Sequence, residues 1–435
     1  MAESTLESCD VLVIGGGPGG STVAALLAER GHRVVLLEKA RHPRFHIGES
    51  LLPANLPILD RLGLSSEVRA IGMEKWAAEF VSPTDGRRQE FQFSMALDKS
   101  LPMAYQVRRS EFDHILIRRA AALGARVIEG CRVREVDLDA TPARVRAEHD
   151  DGVMASWSAD YVIDASGRDT LLANRLGLKR RNNKHNSAAL YAHFAGARRA
   201  DGRREGNIII FWFEHGWFWF IPLADGATSI GAVVWPHYMK TRKTSVREFF
   251  LETIALCPPL AERLGSATLI GEVEATGNYS YGCERSHGRN FLLVGDAFSF
   301  IDPVFSSGVM LAMTSAVAAA DAVHICLTDP GRSRRALGRF DRISRHGPRQ
   351  FSWFIYRVTN PTMRELFLDP KNVFRVEEAL LSVLAGDIFG RTPIWGRLRL
   401  FKAIYYFLSL TNLGRTLRAW RRRLVNIRPE AEQMT

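Results

Sequence analysis

The sequence predicts an α/β fold with an inserted large mixed β-sheet and a helical C-terminal segment, on the strength of three observations. A glycine-rich turn joins an apolar run to a helix-forming run at residues 11–28. Aromatic and β-branched runs recur between residues 188 and 234, and helical patterns fill the chain after residue 309. Apolar runs that alternate with helical patterns favour a parallel sheet, whereas consecutive aromatic runs favour a second sheet. The length of 435 residues allows one large domain or two fused ones.

The N-terminal region has the pattern of a Rossmann-like dinucleotide-binding βαβ unit. An apolar run at residues 11–14 leads into Gly15, Gly17 and Gly20 in the spacing G-x-G-x-x-G. The first glycine allows a tight turn, the second lets a pyrophosphate approach the backbone, and the third lets helix and strand pack closely. The following helix N-terminus offers free N–H groups to the phosphates. A second apolar run ends at Glu38, where a carboxylate can bind a ribose hydroxyl. A plain structural turn would not explain this acid.

Composition excludes several classes of protein. The hydrophobic fraction is 46% and the charged fraction is 24%, as in ordinary globular proteins. The chain starts polar, with no signal-peptide pattern, and it has no run of eighteen uncharged apolar residues, so we expect no transmembrane segment. The five cysteines are scattered without a C-x-x-C pair. This indicates a reducing, cytoplasmic location and argues against a metal site or a disulfide framework.

The positive charge is concentrated in the C-terminal segment. Residues 331–435 hold 21 Lys and Arg against 8 Asp and Glu, a local charge of +13 within a total of +11. Such a surface is either a solvated basic face or a docking surface for an acidic carrier protein, a membrane surface or nucleic acid, although no nucleic-acid motif is present. The apolar and basic stretch 398–423 is compatible with membrane-surface contact or with a helix packed on the main domain.

The remaining elements are predicted from hydrophobic periodicity and turn residues. A loop at 42–53 leads into a helix over 55–62, and residues 79–93 read as a strand hairpin with Asp85-Gly86 at its turn. Residues 105–123 read as a strand and a helix with Ser110 as N-cap. Further strands are expected at 126–129, 133–138, 143–149, 161–165 and 291–294, and helices at 246–255 and 309–326. The C-terminal remainder reads as helical, with breaks at Pro361, Pro370 and Pro393.

Four stretches together resemble the flavoprotein monooxygenase superfamily with its hydroxylase-type FAD fold. They are the Gly15–Gly20 loop, Arg109 in R-S-E-F-D, residues 164–167, and Gly295-Asp296 after a buried strand. The resemblance implies that Gly295 and Asp296 hold the ribityl chain of FAD and that Arg109 contacts the cofactor. It also implies a wider set of FAD contacts: Lys39, Arg44, Glu49, Ser50, Asp302, Pro303, Gly308 and Val309. For Lys39 the alternative role is that of an ordinary surface lysine.

Three further motifs are similar to those of the flavin-dependent halogenases. The sequence carries W-x-W-x-I-P at residues 217–222, Lys75 in G-M-E-K after the G-E-S loop, and D-P-x-x-S-S-G at residues 302–308. The resemblance spans residues 9–325. Tryptophan halogenases carry a glutamate where this chain has Phe305, so it looks more like the pyrrole, phenol and carrier-protein-tethered halogenases.

The resemblance implies a two-component enzyme of natural-product biosynthesis. A separate flavin reductase would supply FADH2, and chloride or bromide would attack a flavin C4a-hydroperoxide to give hypohalous acid. Backbone N–H groups of Ser307 and Gly308 would bind the halide; the alternative is an ordinary helix start that touches only the flavin. Trp217 and Trp219 are two residues apart on one strand, so their side chains point to the same face and would wall off the flavin. The alternative role for the two rings is core packing.

Lys75 would relay the oxidant to an electron-rich aromatic or acyl substrate, free or tethered to an acidic carrier protein. Burial of its long side chain can lower its pKa. No single general base is selected, and His46, His193, His215 and Glu79 are all candidates. The predicted organisation is a core over residues 1–330, with a β-sheet substrate subdomain at about 75–105 and 185–280, and a basic helical region over 331–435.

Two alternatives remain open at this point. One is a flavin monooxygenase or a geranylgeranyl-reductase-type flavoprotein, which would not need Lys75 or the tryptophan pair. The other is a flavin-binding protein without halogenation activity. Halide-dependent product formation distinguishes the first alternative from a halogenase, and FAD binding without turnover would indicate the second.

Overall fold

A computed structural model describes residues 6–83, 86–277, 280–370, 372–390 and 392–427. Its strands are β1 (Leu6–Ile14), β2 (Val34–Glu38), β3 (Met73–Lys75), β4 (Ala77–Val81), β5 (Arg88–Gln92), β6 (Ala104–Gln106), β7 (Arg126–Glu129), β8 (Cys131–Asp137), β9 (Ala143–His149), β10 (Met154–Asp164), β11 (Lys179–Arg181), β12 (Ala188–Ala195), β13 (Ile208–Phe213), β14 (Gly216–Pro222), β15 (Ala227–Val234), β16 (Thr268–Thr276), β17 (Tyr281–Cys283), β18 (Phe291–Leu293) and β19 (Ser299–Phe300). Its α-helices are α1 (Pro18–Ala28), α2 (Leu56–Arg61), α3 (Ser65–Ile71), α4 (Arg109–Ala122), α5 (Leu171–Arg175), α6 (Pro236–Met239), α7 (Val246–Ala255), α8 (Pro258–Arg263), α9 (Gly308–Thr328), α10 (Ser333–Ile355), α11 (Pro361–Leu368), α12 (Val376–Ala385), α13 (Ile394–Thr411) and α14 (Leu413–Ile427).

The first sheet is the predicted βαβ unit enlarged on both sides. Its strand order is β7-β2-β1-β10-β9-β8, and β18 also pairs with β10. The pairs among β7, β2, β1, β10 and β18 are parallel, whereas β8 and β9 form an antiparallel extension. Both faces of β1 are covered, since Val11 and Val13 pack with α1, α4 and α9 while Leu12 and Ile14 pack against a second cluster. Two-sided burial explains why this strand reads as an uninterrupted apolar run.

The second sheet has the order β16-β12-β15-β14-β13-β4-β5 and is antiparallel except where β13 pairs with β4. Its aromatic strands are buried on both faces. Phe218 and Phe220 of β14 pack on α7 and α8, whereas Trp217 and Trp219 belong to the cluster that includes the C-terminal helices. The C-terminal region is therefore not a separate layer, because α10–α13 complete the core of this sheet.

Three local predictions need correction or lie outside the described residues. Ser110 is not an N-cap: α4 already begins at Arg109, with Arg108 in extended backbone before it. Between the predicted helix over 55–62 and Gly72, where the sequence predicts only a short loop, the structure has a helix, α3, whose buried residue is Val68. The hairpin of β4 and β5 forms as predicted, but Asp85 at its turn lies outside the described residues, as do residues 428–435 of the basic segment.

Helix α9 is by length and composition apolar enough to cross a membrane. In the fold it lies between α1 and α10, and its alanines pack in the hydrophobic cluster that contains Val11 and Val13 of β1. Its small side chains permit this close packing. Its first residue, Gly308, lines a large cavity.

Candidate functional site

A cavity of about 700 Å³ runs from the carboxyl ends of β1 and β2 to the face of the second sheet. Cavities at this edge of a parallel sheet are where dinucleotides bind. Of the predicted cofactor contacts, the following line it: Gly15, Gly17, Glu38, Lys39, Arg44, Glu49, Ser50, Arg109, Gly295, Asp296, Pro303, Gly308 and Val309.

The glycine turn is built as the sequence predicts. Gly15 has a φ of +102°, which favours glycine, and a Cβ on Gly20 would lie 1.8 Å from the Gly15 carbonyl oxygen. Gly20 does not line the cavity, because its role is the close contact between α1 and β1. Helix α1 begins after Gly17 without a side-chain cap, so its first N–H groups remain available to phosphate.

Glu38 and Arg44 form the part of the wall beside this turn. The buried Glu38 carboxylate accepts hydrogen bonds from the N–H of Gly16 at 2.6 Å and of Ala40 at 2.9 Å. Arg44 lies 3.8 Å from Glu38. Backbone donors thus fix the carboxylate at the cavity edge, where a ribose hydroxyl can still donate to it.

Arg109 is held in a buried network at the cavity wall. Its guanidinium donates to both oxygens of Asp113, at 2.8 and 3.0 Å, and to the carbonyl of Ile47 at 2.8 Å. Burial opposes ionisation of Asp113, but the Arg109 charge outweighs it and holds the pKa of this carboxyl below its usual range. The network therefore fixes the 42–50 loop, whose last residues also line the cavity.

Asp296 lines the cavity, and its pKa is shifted in the opposite direction to that of Asp113. Burial raises the pKa of its carboxyl to about 6, and its carboxylate forms no hydrogen bond with another side chain among the described residues. A polyhydroxyl chain would supply the missing donors. Together with the uncapped α1 start and the glycine cradle, this unpaired acid fits FAD.

Trp217 and Trp219 lie on one wall of the cavity, as their alternation predicts. Their ring centroids are 6.1 Å apart, and the Trp219 indole donates to the Ser229 hydroxyl at 3.2 Å. The rings are fixed by the second sheet beneath them, so they form a rigid apolar wall. Phe305, which stands where tryptophan halogenases carry a glutamate, lies in an aromatic cluster with Phe351 and Phe367.

Lys75 is fully buried at the end of β3 and does not line the cavity. Its Nζ donates to the Ser50 hydroxyl and to the Leu51 carbonyl, each at 2.9 Å. Ser50 lines the cavity, so a single side chain separates the amine from it. No carboxylate pairs with Lys75 within the described ranges, and burial lowers its pKa to about 7.

This lowered pKa predicts a pH-dependent stability. Between pH 7 and 10.5 the unfolded chain keeps a proton that the folded chain has released from Lys75, so the free energy of unfolding rises with pH through this window. We expect Lys75→Met to reduce that slope by up to about 1.4 kcal/mol per pH unit. Urea denaturation of wild type, Lys75→Met and the exposed-site control Lys99→Met measures it. Equal slopes in all three proteins would contradict the assignment.

The loop at residues 302–308 divides into a cavity-facing part and a buried part. Pro303, Ser306 and Gly308 line the cavity, but Asp302 and Ser307 do not. Asp302 is instead occupied within the protein: its carboxylate accepts from the Val304 N–H at 3.2 Å, from Ser187 at 3.0 Å, and bonds to His185 at 2.9 Å. The structure therefore gives Asp302 a role in shaping the loop rather than in contacting the cofactor.

The predicted halide position lies where α9 begins. Ser306 adopts a left-handed backbone conformation with φ of +54°, which turns the chain into the helix. The N–H groups of Ser307 and Gly308 donate to no backbone carbonyl in the described part of the chain, and the Ser307 hydroxyl is buried without a partner. Free donors at a helix start suit an anion.

The four candidate bases are not brought together. His46 lines the cavity, where desolvation by the cavity wall and the nearby Arg109 charge lower the pKa of its imidazole. His193 bonds to the buried Glu49 carboxylate at 3.0 Å. His215 stacks on Tyr238 with ring centroids 4.1 Å apart, and Glu79 lies in the second sheet away from the cavity.

Several cavity residues were not predicted from the sequence. Tyr191, Phe45 and Phe300 add aromatic surface, and Arg168 donates to Thr276 and Gly277 across the wall. Arg168 directly follows the A-S-G turn after β10, which is the one signal that could have indicated it.

Comparison with known proteins identifies relatives of the same chemistry. Residues 8–337 match the family model of the FAD binding domain. A flavin-dependent halogenase of Armillaria mellea, armH1, is 35% identical over 74% of this chain, which spans 66% of the length of that relative. The 1H-pyrrole-2-carbonyl-[peptidyl-carrier protein] chlorinase of Pseudomonas fluorescens is 30% identical over 87% of this chain and 89% of its own length. The solved structure of the myxobacterial chondrochloren halogenase CndH is 35% identical with a TM-score of 0.77, covering 89% of this chain and 92% of that one.

Proposed function

This chain belongs to the flavin-dependent halogenases of the FAD-binding-domain family, and on that premise we propose that it halogenates an electron-rich aromatic or acyl substrate through Lys75. The observation that carries this proposal is a fully buried lysine that has no carboxylate partner among the described residues and is separated from the cofactor cavity by one serine. FADH2, when bound, supplies the electrons that activate dioxygen so that chloride or bromide is oxidised to hypohalous acid. The protein must then bind the halide, keep the organic substrate away from the flavin and deliver the oxidant.

Halide is bound, in this proposal, by the N–H groups of Ser307 and Gly308. These N–H groups lie at the positive end of the 21-residue helix α9. The first two residues of that helix, Gly308 and Val309, line the cavity. The helix dipole and two donors without backbone partners favour an anion there. Gly308 lines the same cavity as Trp217 and Trp219, so a halide bound there would lie in the cavity that these rings border.

Lys75 passes the oxidant to the substrate. Near pH 7 a large fraction of its side chain is a neutral amine with a free lone pair. This amine either holds hypohalous acid by a hydrogen bond or exchanges a proton for the halogen, with loss of water, to form a haloamine. Transfer of the halogen from the haloamine to the substrate carbon breaks the N–halogen bond, and the displaced ring proton passes to the nitrogen, directly or through a base, which restores the amine. The Ser50 hydroxyl and Leu51 carbonyl hold Nζ in position for this step.

Trp219 is expected to keep the organic substrate away from the flavin. We expect Trp219→Ala to raise the ratio of oxygenated to halogenated product at least about tenfold, because the opened wall admits substrate to the activated oxygen. Phe218→Ala is the matched control, since Phe218 lies on the opposite face of the same strand. Mass spectrometry of the products measures the ratio. An equal ratio of oxygenated to halogenated product in both variants would indicate that Trp219 only packs in the core.

We further propose that a separate flavin reductase supplies FADH2. The sequence shows a single glycine-rich dinucleotide-binding turn, used by FAD, and no second one for a nicotinamide cofactor. Product formation with NADH should therefore require an added reductase. Product from NADH and this protein alone would contradict the two-component assignment.

The substrate is proposed to arrive on an acidic carrier protein. Support comes from the relative named as a peptidyl-carrier-protein chlorinase and from an exposed row of arginines on α10. The row comprises Arg334, Arg335, Arg339, Arg342 and Arg349. Parallel assays with free and carrier-loaded pyrroles and phenols test this point: a higher kcat/KM with the loaded form supports it, and equal values contradict it.

A further inference from the structure

The last two helices carry a row of exposed apolar side chains. Leu413, Leu417 and Trp420 follow the i, i+4, i+7 spacing of one helix face on α14 and are 50%, 42% and 54% exposed. At the end of α13, Phe407 and Leu410 are 65% and 68% exposed. We call these five residues the C-terminal apolar stripe.

Helix α14 packs on the protein with a side that mixes polar and apolar residues. The half-buried positions of α14 are Thr416, Ala419, Arg423, Leu424 and Asn426, and Ile427 at its end is buried. Arg423 donates to the carbonyls of Tyr356 and Lys184, which anchors the helix through polar contacts. A surface helix ordinarily turns its apolar side to the core. Here Leu424 and Ile427 turn inward, but the larger row of Leu413, Leu417 and Trp420 stays outside, which indicates that this row has a partner.

The charges around the stripe indicate what kind of partner this is. Residues 394–427 contain eight Lys and Arg and no Asp or Glu. On α14, Arg415 pairs with Glu365 at 2.6 Å and Arg422 pairs with Glu214. Arg418 and Arg421 have no carboxylate partner within the described ranges, and both lie beside the stripe. The partner must therefore be apolar in its interior and negatively charged at its surface.

A second copy of the chain does not meet these requirements. A two-fold interface would bring the same arginine-flanked stripe against itself, with like charges at its edges. An anionic lipid bilayer satisfies both requirements, because Leu, Phe and Trp insert at the level of the headgroups while arginines bind the phosphates. We propose that α13 and α14 dock this protein reversibly on an anionic membrane surface. This inference is independent of the proposed chemistry of Lys75.

Co-sedimentation with lipid vesicles tests the proposal on the full chain loaded with FAD. We expect binding to vesicles of phosphatidylcholine with phosphatidylglycerol, little binding to phosphatidylcholine alone, and weakening by added salt. Two double variants, Leu417→Ser with Trp420→Ser and Arg418→Glu with Arg421→Glu, should each lower the bound-to-free ratio at least about tenfold. Halogenation of a free substrate without vesicles should be unchanged in both.

Matched controls place equivalent changes elsewhere on the surface. Leu251→Ser with Ile270→Ser removes apolar side chains of similar exposure, and Arg144→Glu with Arg175→Glu reverses two exposed charges. FAD content and thermal melting show that each variant is folded. Three outcomes would overturn the proposal: no binding to the anionic vesicles, equal loss in the control variants, or a stripe that instead mediates self-association or binding of an acidic carrier protein in the absence of lipid.

Discussion

Replacing Lys75 with methionine is expected to lower halogenated product at least about hundredfold, while FAD binding and oxidation of FADH2 change by less than about twofold. Methionine keeps the volume of the side chain in a site where the amine is fully buried, so the fold should persist. The amine itself is lost, and with it the only group that the proposal assigns to handling the oxidant. Hypohalous acid or peroxide should then accumulate in solution.

Product analysis and flavin oxidation measured on the same samples separate chemistry from damage. Lys99→Met is the control, because Lys99 is exposed and outside the cavity. Equal losses of halogenation and of FAD binding in Lys75→Met would indicate a structural role. Unchanged halogenation would rule out the relay.

The same lysine should set the pH dependence of the wild-type reaction. Its pKa is lowered to about 7 by burial, and only the neutral amine has a lone pair for the halogen. Halogenation per FADH2 oxidised is therefore expected to rise with pH through about 7.

Replacing Arg109 with methionine is expected to destabilise the protein by about 3–5 kcal/mol and to weaken FAD binding. The change leaves the fully buried Asp113 carboxylate without its two strongest hydrogen bonds, and Arg44, at 3.3 Å, is its remaining hydrogen-bond partner among the described residues. It also removes the Arg109 hydrogen bond to the Ile47 carbonyl, so the loop that carries Glu49 and Ser50 loses one of its anchors.

The neighbouring arginine offers a matched control. Arg108 pairs with Asp225 at the surface, and Arg108→Met is expected to cost less than about 1 kcal/mol. Urea denaturation and FAD titration by fluorescence measure both effects. Similar losses in the two variants would show that the buried network contributes nothing special to the site.

The sequence was sufficient to predict features that depend on neighbours in the chain. The turn at Gly15–Gly20, the acid at Glu38 and the long helix α9 all follow from local spacing, and each is found close to its predicted position. The alternation of Trp217 and Trp219 predicted a common face in the same way. The predicted N-cap at Ser110 was wrong because the N-cap is Arg108, two residues earlier, and Arg109 already lies in the helix, where it pairs with Asp113 four residues on.

Features that depend on distant residues were not predictable. The bond between Glu49 and His193 joins residues 144 positions apart, and Asp302 is taken from the cavity by His185 and Ser187, more than a hundred positions away. Motif spacing placed Lys75 near the G-E-S loop but could not show that Ser50 accepts its hydrogen bond. The outward apolar side of α14 likewise depends on polar contacts of Arg423 to Tyr356 and Lys184.

The most direct test of the central claim is the reconstituted reaction. Purified protein, FAD, NADH and a flavin reductase are supplied with chloride or bromide and with free and carrier-loaded pyrroles and phenols, and the products are read by mass spectrometry. We predict product masses that carry the halogen isotope pattern, require halide and disappear in Lys75→Met while FADH2 oxidation continues. Products that gain the mass of one oxygen atom, independently of halide and of Lys75, would contradict the halogenase assignment and indicate a monooxygenase.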